Sequence, residues 1–598
     1  MTVCNLGPNT WIPEYLNTHP EVSMIRVSTP MPPPGWALLE RELLQANTDA
    51  CRAFFAKYFD ERGFLRCVER WGGDDGPDDA MESCIDWPIL HALGADDVVL
   101  DMVNTAWEGH LRQYTQAKTT DVPFAREGMY CKEFPVMFDW LHNGEGLAVF
   151  NLMGLSDPRN PATQARMRRY AGFYMNRDPE APNYDPEHRI IRSLFNGSRG
   201  PLLRPATALD WAGDPIEVGD GFSPRHGERS YEEMLAHFKD YTDIVGDHPS
   251  NLAATTLALN AYMLDHEPDY KAWLLEYVDA WLERTQANDG IIPSKIGLDG
   301  KIGGPAGKWY AGVYGWGFSV IVPQTGELAH RTTTHLAMIG FGNAFLLTGD
   351  EKYLDVWRNM IARINAECRN VDGVTTVPHN FGDQGWYNFQ PYRYLHGALE
   401  LWYWSMKRED RERLPHNDWL AYLDSESPDY PEQALRSDLE RIRRQTAGME
   451  ADPTTPETRL SDDPMAYNPC SVDSLIHLML GGIRPLYWGG VLHCRLRYFD
   501  PERRRAGLPE DVAALVHSLS ADEIALTLVN LSRTEPRTVI VQAGGYGEHQ
   551  FTFAEHDGRT IPVDETCLAV HLEHGAGGQI ALGMKRYVHQ PTLAHPWE

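Results

Sequence analysis

The chain changes its hydrophobic rhythm along its length. From about residue 36 to 59, WALLERELLQANTDACRAFFAKYF places apolar residues at i, i+3, i+4 and i+7, the spacing of an amphipathic helix. Four later stretches share one plan: SCIDWPILHALGADDVVLDMVNTAWEGHL, EGLAVFNLMGLSDPRNPATQARMRRYAGFYM, SNLAATTLALNAYMLDHEPDYKAWLLEYVDAWL and THLAMIGFGNAFLLTGDEKYLDVWRNMIARI. Each predicts an apolar helix rich in small residues, a short polar turn, and a longer helix with spaced Tyr, Trp or Met. The turns ALGADD, GLSDPRN, LDHEPDY and LTGDEKY carry helix-stop and N-cap residues at equivalent places. This is an internal repeat of helical hairpins, and a fifth unit begins at Tyr394 with YLHGALELWYWSM.

Small residues on the first helix of each pair permit close packing inside a ring, and the second helix covers the outside. The pattern predicts a mainly α chain, an α/α toroid over residues 1–407, with the insertions between hairpins gathered on one rim. Such insertions are where function concentrates. Residues 408–480 are charged and punctuated by proline, and read as a connecting segment with one amphipathic helix near 432–446. Beyond 480 the period becomes two. VLHCRLRYFD, EIALTLVNLS, RTVIVQAGG, HQFTFAEHD, CLAVHLEHG and QIALGMKRY predict short strands, hence an antiparallel β-sandwich over residues 481–598.

Composition narrows the function. A formal charge of −30 argues against nucleic acid and anionic membrane surfaces, which need a basic footprint. No apolar run approaches the roughly 20 residues that span a bilayer. The N-terminus lacks a basic stretch followed by an apolar one, so a cytoplasmic protein is expected. Nine cysteines form no CxxC pair and read as free thiols. The 18 Trp and 26 Tyr supply amphipathic rings of the kind that stack on sugar faces, although large helical domains also use them as core.

Four insertions carry candidate chemistry. Trp71 to Asp79 holds four carboxylates in a turn; it lacks the ordered alternation of a calcium loop and reads first as a structural turn held by Asx turns and helix capping, with Asp74 or Asp75 beside Trp71 as the candidates for substrate hydroxyls. Asp139, His142 and Glu145 share a helical face, with Glu145 equally readable as a helix N-terminal charge. Asn196 and Arg199 sit in SLFNGSRGP, and His248 and Asn251 open the next inner helix. The fourth group comprises KWYAGVYGWGF, HRTTTH and PHNFGDQGWYNFQPYRYLH, and includes Tyr310, Tyr314, Trp316, Arg331, His335, His379, Trp386, Tyr387, Tyr392 and Tyr394. A dry aromatic core is the competing reading, but polar residues interrupt these runs throughout. No pair of the HExxH kind indicates a metal.

A Tyr, His, Asn and Arg set suits β-elimination at a uronic acid. Removing the C5 proton drives charge into the sugar carboxylate, which donors must stabilise. A Tyr or His takes the proton, and a Tyr can protonate the departing oxygen. With helical hairpins followed by a β-sandwich, the chain resembles the toroid-type polysaccharide lyases. The Asn196 loop, His248 and KWYAGVYGWGF are similar in type and order to the Asn, His and Tyr of the alginate- and glucuronan-cleaving members, such as polysaccharide lyase family thirty-eight. The resemblance implies that Asn196 and His248 neutralise the carboxylate, that Tyr310 or Tyr314 is base and acid, and that Arg331 assists. It implies an oligo- or polysaccharide substrate and no cofactor. His142, Arg199, Trp316, His335, His379, Trp386 and Tyr392 are expected to bind the sugar. A more distant resemblance is to six-hairpin glycosidases, which need two carboxylates, with candidates in Asp74, Asp139, Glu145, Glu327 and Asp383. A non-catalytic glycan-binding protein is the third reading.

Overall fold

The computed structural model describes residues 23–68, 79–117, 125–207, 210, 242–321 and 328–598. Trp71, Asp74 and Glu327 lie outside them. The repeated hairpins form as the periodicity predicts: Trp87–Leu93 with Val98–Gln116, Trp140–Met153 with Pro161–Tyr174, Thr255–Asp265 with Pro268–Ala287, and Ala337–Thr348 with Lys352–Ala366. Their turns use the residues read from sequence. Gly94 and Gly349 end the first helices with φ of 117° and 64°, a left-handed backbone that suits glycine. Asn160 caps a second helix by accepting from Ala162 N at 3.0 Å and Thr163 N at 3.1 Å.

First helices are buried all round, whereas second helices bury one face. In Ala337–Thr348 every residue but the last is buried, while Lys352–Ala366 buries Tyr353, Leu354, Val356, Trp357, Met360, Ile361 and Ile364. Close approach needs the small residues: a Cβ at Gly342 would come within 2.4 Å of the Trp404 ring, and one at Gly144 within 2.5 Å of the Trp488 carbonyl. These are the inner and outer layers of an α/α toroid.

Two sets of contacts cross the divisions expected from the sequence. Residues 408–480 do more than connect. The Tyr430–Ala451 helix lies along Gly35–Tyr58 and buries Leu435, Leu439 and Ile442. Asn47 and Ser471 exchange two hydrogen bonds of 2.8–2.9 Å beside it. The chain then returns to the first hairpin through Ser461 with Asp79 at 2.9 Å and Arg484 with Asp86 at 2.6 Å. The charges read as a linker are the solvated face of packed helices. At the other end, Met24–Val27 is no part of the helical layer; it pairs in parallel with Cys567–Leu572, Met24 opposite Ala569 and Val27 opposite Leu572.

The C-terminal region holds two five-stranded sheets. The six strands expected from alternation are present, together with Val512–Leu519, which has a bulge between Val516 and Ser518, and Arg559–Glu565. Its contact with the ring is specific. Arg495 donates to the Tyr403 carbonyl at 2.7 Å, Arg586 to Trp404 at 2.7 Å and Ser405 at 3.1 Å, and Arg497 to Leu155. Leu593 N donates to the Met263 carbonyl at 2.9 Å. All these carbonyls lie at or just past the C-terminal ends of inner helices, where orphan acceptors and the negative end of the helix dipole favour guanidinium. The sandwich therefore closes one end of the ring.

Candidate active site

The other end carries a histidine at the start of four consecutive inner helices. His142 is in the first turn of Trp140–Met153, and His248 is the N-cap of Pro249–Ala254, which runs on into Thr255–Asp265. His335 is in the turn leading into Ala337–Thr348, and His396 is two residues before Ala398–Ser405. The N-cap residues His248, Thr333 and Gly397 make no side-chain cap bond, so backbone N–H groups at three starts are not satisfied by a capping side chain.

Each imidazole has a defined setting. Asp139, 1% exposed, caps its helix and holds His142 Nδ1 at 2.8 Å, leaving the His142 side chain 30% exposed. His248 is buried. Its Nδ1 lies 3.2 Å from the Gly246 carbonyl, and its Nε2 has no hydrogen-bond partner among the described residues, with the space over Gly312 beside it. With Nδ1–H donating, Nε2 presents a lone pair. Burial, helped by the Lys295 ammonium, holds the His248 pKa down to about 3. His335 stacks on His396 with ring centroids 5.1 Å apart and meets the edge of Trp488 at 5.5 Å. Burial first, then His396, lowers its pKa to about 4. His379 sits 6.3 Å from His396 and 5.1 Å from Tyr392, and desolvation lowers its pKa as well. Burial thus favours the neutral form of His248, His335, His379 and His396.

An arm of three strands, Arg369–Val371, Val374–Gly382 and Gly385–Gln390, lies beside this rim. It brings His379, Phe381 and Trp386 to one face, where Phe381 packs on Trp309 and Tyr310 at 4.6 and 5.2 Å. Trp386 meets Phe381 at 5.0 Å and Trp316 at 6.2 Å. On the rim itself, Trp488 donates to Glu145 at 2.8 Å. Asn380 anchors the arm, donating to the Trp316 carbonyl at 2.9 Å and to Thr332 Oγ1 at 3.0 Å.

The structure separates the residues expected to act together. His142, His248, His335 and His379 belong to the rim or the arm face beside it, as do Trp386 and Tyr392, the last 60% exposed. Arg331 follows the Leu328–His330 strand and is half-buried. Asn196 is internal: it accepts from Trp140 at 3.1 Å and Tyr174 at 2.6 Å, and donates to Ser193, Leu194 and Asn251 at 3.0–3.1 Å. Its amide is fully engaged in holding the loop, which leaves none for a carboxylate. Trp316 is fully buried, its indole N–H on the Ile292 carbonyl at 2.8 Å, so it supports the floor instead of stacking on sugar. Tyr314 is buried with Leu194, Phe195 and Val313 at a φ of 57°. Tyr310 donates to Asp383, which also pairs with Lys308 at 2.7 Å; the carboxylate raises the phenol pKa and makes Tyr310 a poor base. Arg199 is exposed and paired with Glu127 at 3.0 Å.

His396, Trp488, Ser319 and His330 were not singled out from sequence. A signal for the first existed, since LHNGEG, DHPSN, THLAM and LHGAL each put a histidine next to the small-residue run of an inner helix. Among the described residues no group of three or more His, Cys, Asp or Glu could hold a metal, and no helix is long and apolar enough to cross a membrane.

Residues 24–418 match the model of a family described as a domain of unknown function, DUF8034. The chain belongs to this family. The matched span of this DUF8034 member covers the rim and the arm, and leaves most of the β region outside. No curated protein matches the sequence. Among solved structures, the DUF8034 chain is similar to an inactive variant of the α-1,6-mannanase GH76A of Salegentibacter sp. HEL1_6 with α-1,6-mannotriose, at 12% identity over 73% of this chain and 98% of that one, TM-score 0.28. It is also similar to cellobiose 2-epimerase from Bacillus thermoamylovorans B4167, at 11% identity over 61% and 100%, TM-score 0.21. The corresponding enzyme of Spirochaeta thermophila DSM 6192 gives 12% over 63% and 98%, TM-score 0.22. Superpositions this loose carry no inference about chemistry.

Proposed function

We propose that this chain is a carbohydrate-active enzyme, a lyase that cleaves a uronic-acid-containing oligo- or polysaccharide by β-elimination at the N-terminal rim of the ring. The observation that carries the reading is the row of histidines at the starts of four inner helices, with His248, His335 and His396 held toward the neutral form by burial. Helix N-termini favour anions, so the rim suits a carboxylate although the whole chain is acidic. The same dipoles stabilise the charge that develops on that carboxylate when the C5 proton leaves. Imidazoles kept neutral by burial accept hydrogen bonds from sugar hydroxyls and can take protons. Trp386, Tyr392 and Trp488 offer ring faces or edges for the sugar. No step requires a cofactor.

The test is a panel of uronic-acid oligosaccharides followed by ultraviolet absorbance and mass spectrometry. Elimination gives an unsaturated product whose combined mass with its partner equals that of the substrate. Products heavier by one water would replace this reading with glycoside hydrolysis, in which Glu145 is the rim carboxylate to examine first. An isomer of unchanged mass and chain length would replace it with epimerisation.

A further inference from the structure

On the opposite face of the arm, Ser319 Oγ lies 2.7 Å from His330 Nδ1 and 2.7 Å from the Tyr387 hydroxyl. The arrangement is built into the strand register. Ser319 and His330 are directly paired across the Ser319–Ile321 and Leu328–His330 ladder, and Tyr387 is paired with Asn380 across the arm. The Tyr387 ring stands edge-on to His330 with centroids 5.5 Å apart, and it passes along Gly382, where an added Cβ would come within 3.3 Å of Tyr387 Cε1. Thr332 joins this group to the rim: its Oγ1 receives Asn380, and it lies on the segment that leads into His335.

Resting on the lyase reading above, we propose that the cleft continues from the rim past Thr332 to the far face of the arm, and that Tyr387 there is the proton-transferring phenol, activated through Ser319 by His330. The two contacts admit an order in which Tyr387 O–H donates to Ser319 and Ser319 O–H donates to His330 Nδ1. As the phenol oxygen takes the C5 proton, its own proton moves to Ser319 and the Ser319 proton moves to His330. The C–H electron pair becomes the C4–C5 double bond, and the C4–O4 pair leaves with O4. O4 then takes a proton from Tyr387, which recovers one from Ser319, which recovers one from His330. The three side chains end as they began. Tyr310 cannot do this, since its partner is a carboxylate already held by Lys308.

Nitration of the folded full-length protein by tetranitromethane, mapped by peptide mass spectrometry, tests the relay without a substrate. The expected result is that Tyr387 reacts at least about threefold faster than the more exposed Tyr392, and that Ser319→Ala removes the advantage, because the phenolate needs the relay as base. Equal Tyr387 rates in the protein and in Ser319→Ala overturn the proposal. If circular dichroism shows Ser319→Ala to be unfolded, His330→Gln breaks the same chain at its far end and is read in the same way. On any uronate oligosaccharide that is turned over, Tyr387→Phe is expected to lower kcat by about a hundredfold with KM within about twofold, and a retained kcat overturns the assignment. A Ser319-dependent nitration rate in a protein that eliminates none of the panel supports the relay and removes the lyase reading.

Discussion

The two ends of the helical ring are treated in opposite ways. At the C-terminal ends of the inner helices, Arg495, Arg497 and Arg586 and the segment around Leu593 meet backbone carbonyls, and two sheets cover what remains. At the N-terminal ends, three of four helix starts have no side-chain cap, and the residues standing there are histidines. An orphan carbonyl and an orphan N–H have similar costs when buried, so nothing in helix physics favours closing only one end. The difference teaches that the two ends are finished by different chemistry, guanidinium on carbonyls at one and imidazole beside helix N–H groups at the other.

The largest effect should separate the ends by kind of loss. His335→Gln, which removes a rim imidazole expected to bind the sugar, should lower kcat/KM by about 10–100-fold, with little change in thermal unfolding. If activity survives, the rim is not the working end. Arg497→Met should do the reverse. It strips Leu155 and Gly545 of a buried donor, and a loss of about 2–4 kcal/mol in urea unfolding is expected, with KM unchanged in the protein that remains folded.

A pH series sharpens the view of the closed end. Glu40 is buried where the Gly35–Tyr58 helix meets the sheet, accepting from Ala514 N at 3.1 Å, and burial pushes its pKa up to about 8; Glu548, buried near Arg495, is pushed up to about 7. A carboxyl whose folded pKa lies above its unfolded value binds its proton more tightly in the native state. Its contribution is therefore fully present below the ordinary carboxylate range and is lost as pH rises through 7–8. Between pH 5 and pH 9 the protein should lose about 2–4 kcal/mol relative to Glu40→Gln by this linkage, measured as a diverging pair of unfolding midpoints. Parallel curves would show that Glu40 is ionised in the fold. The smallest effect is expected at Tyr310→Phe, which removes a bond to an exposed, already paired Asp383 and should change turnover by less than about threefold.

Much of the scaffold was legible because it is repetitive. Apolar runs with small residues, ended by Gly94, Gly349 or the LDHEPDY turn, define hairpins through spacing alone. The Tyr430–Ala451 helix was legible too, but its packing was not, since its charged residues hide a narrow stripe at Leu435, Leu439 and Ile442. The fold puts several of the residues expected at the site elsewhere. Asn196 and Tyr314 have the right functional groups, yet folding turns both inward, one to pin a loop and one to fill a small core. The Tyr387, Ser319 and His330 group depends on two strand registers across separate hairpins, and composition carries no trace of register.

The parallel pairing of Met24–Val27 with Cys567–Leu572 makes the first described strand and one of the last into neighbours. A nascent chain thus holds an unpaired strand through the emergence of more than 500 residues before its partner exists. Any attempt to express the helical ring alone would leave that strand as a bare edge and the inner-helix carbonyls without their arginines, so such a fragment should aggregate. The β region, though outside most of the family match, is in this sense the ring's lid on one side and its seam on the other.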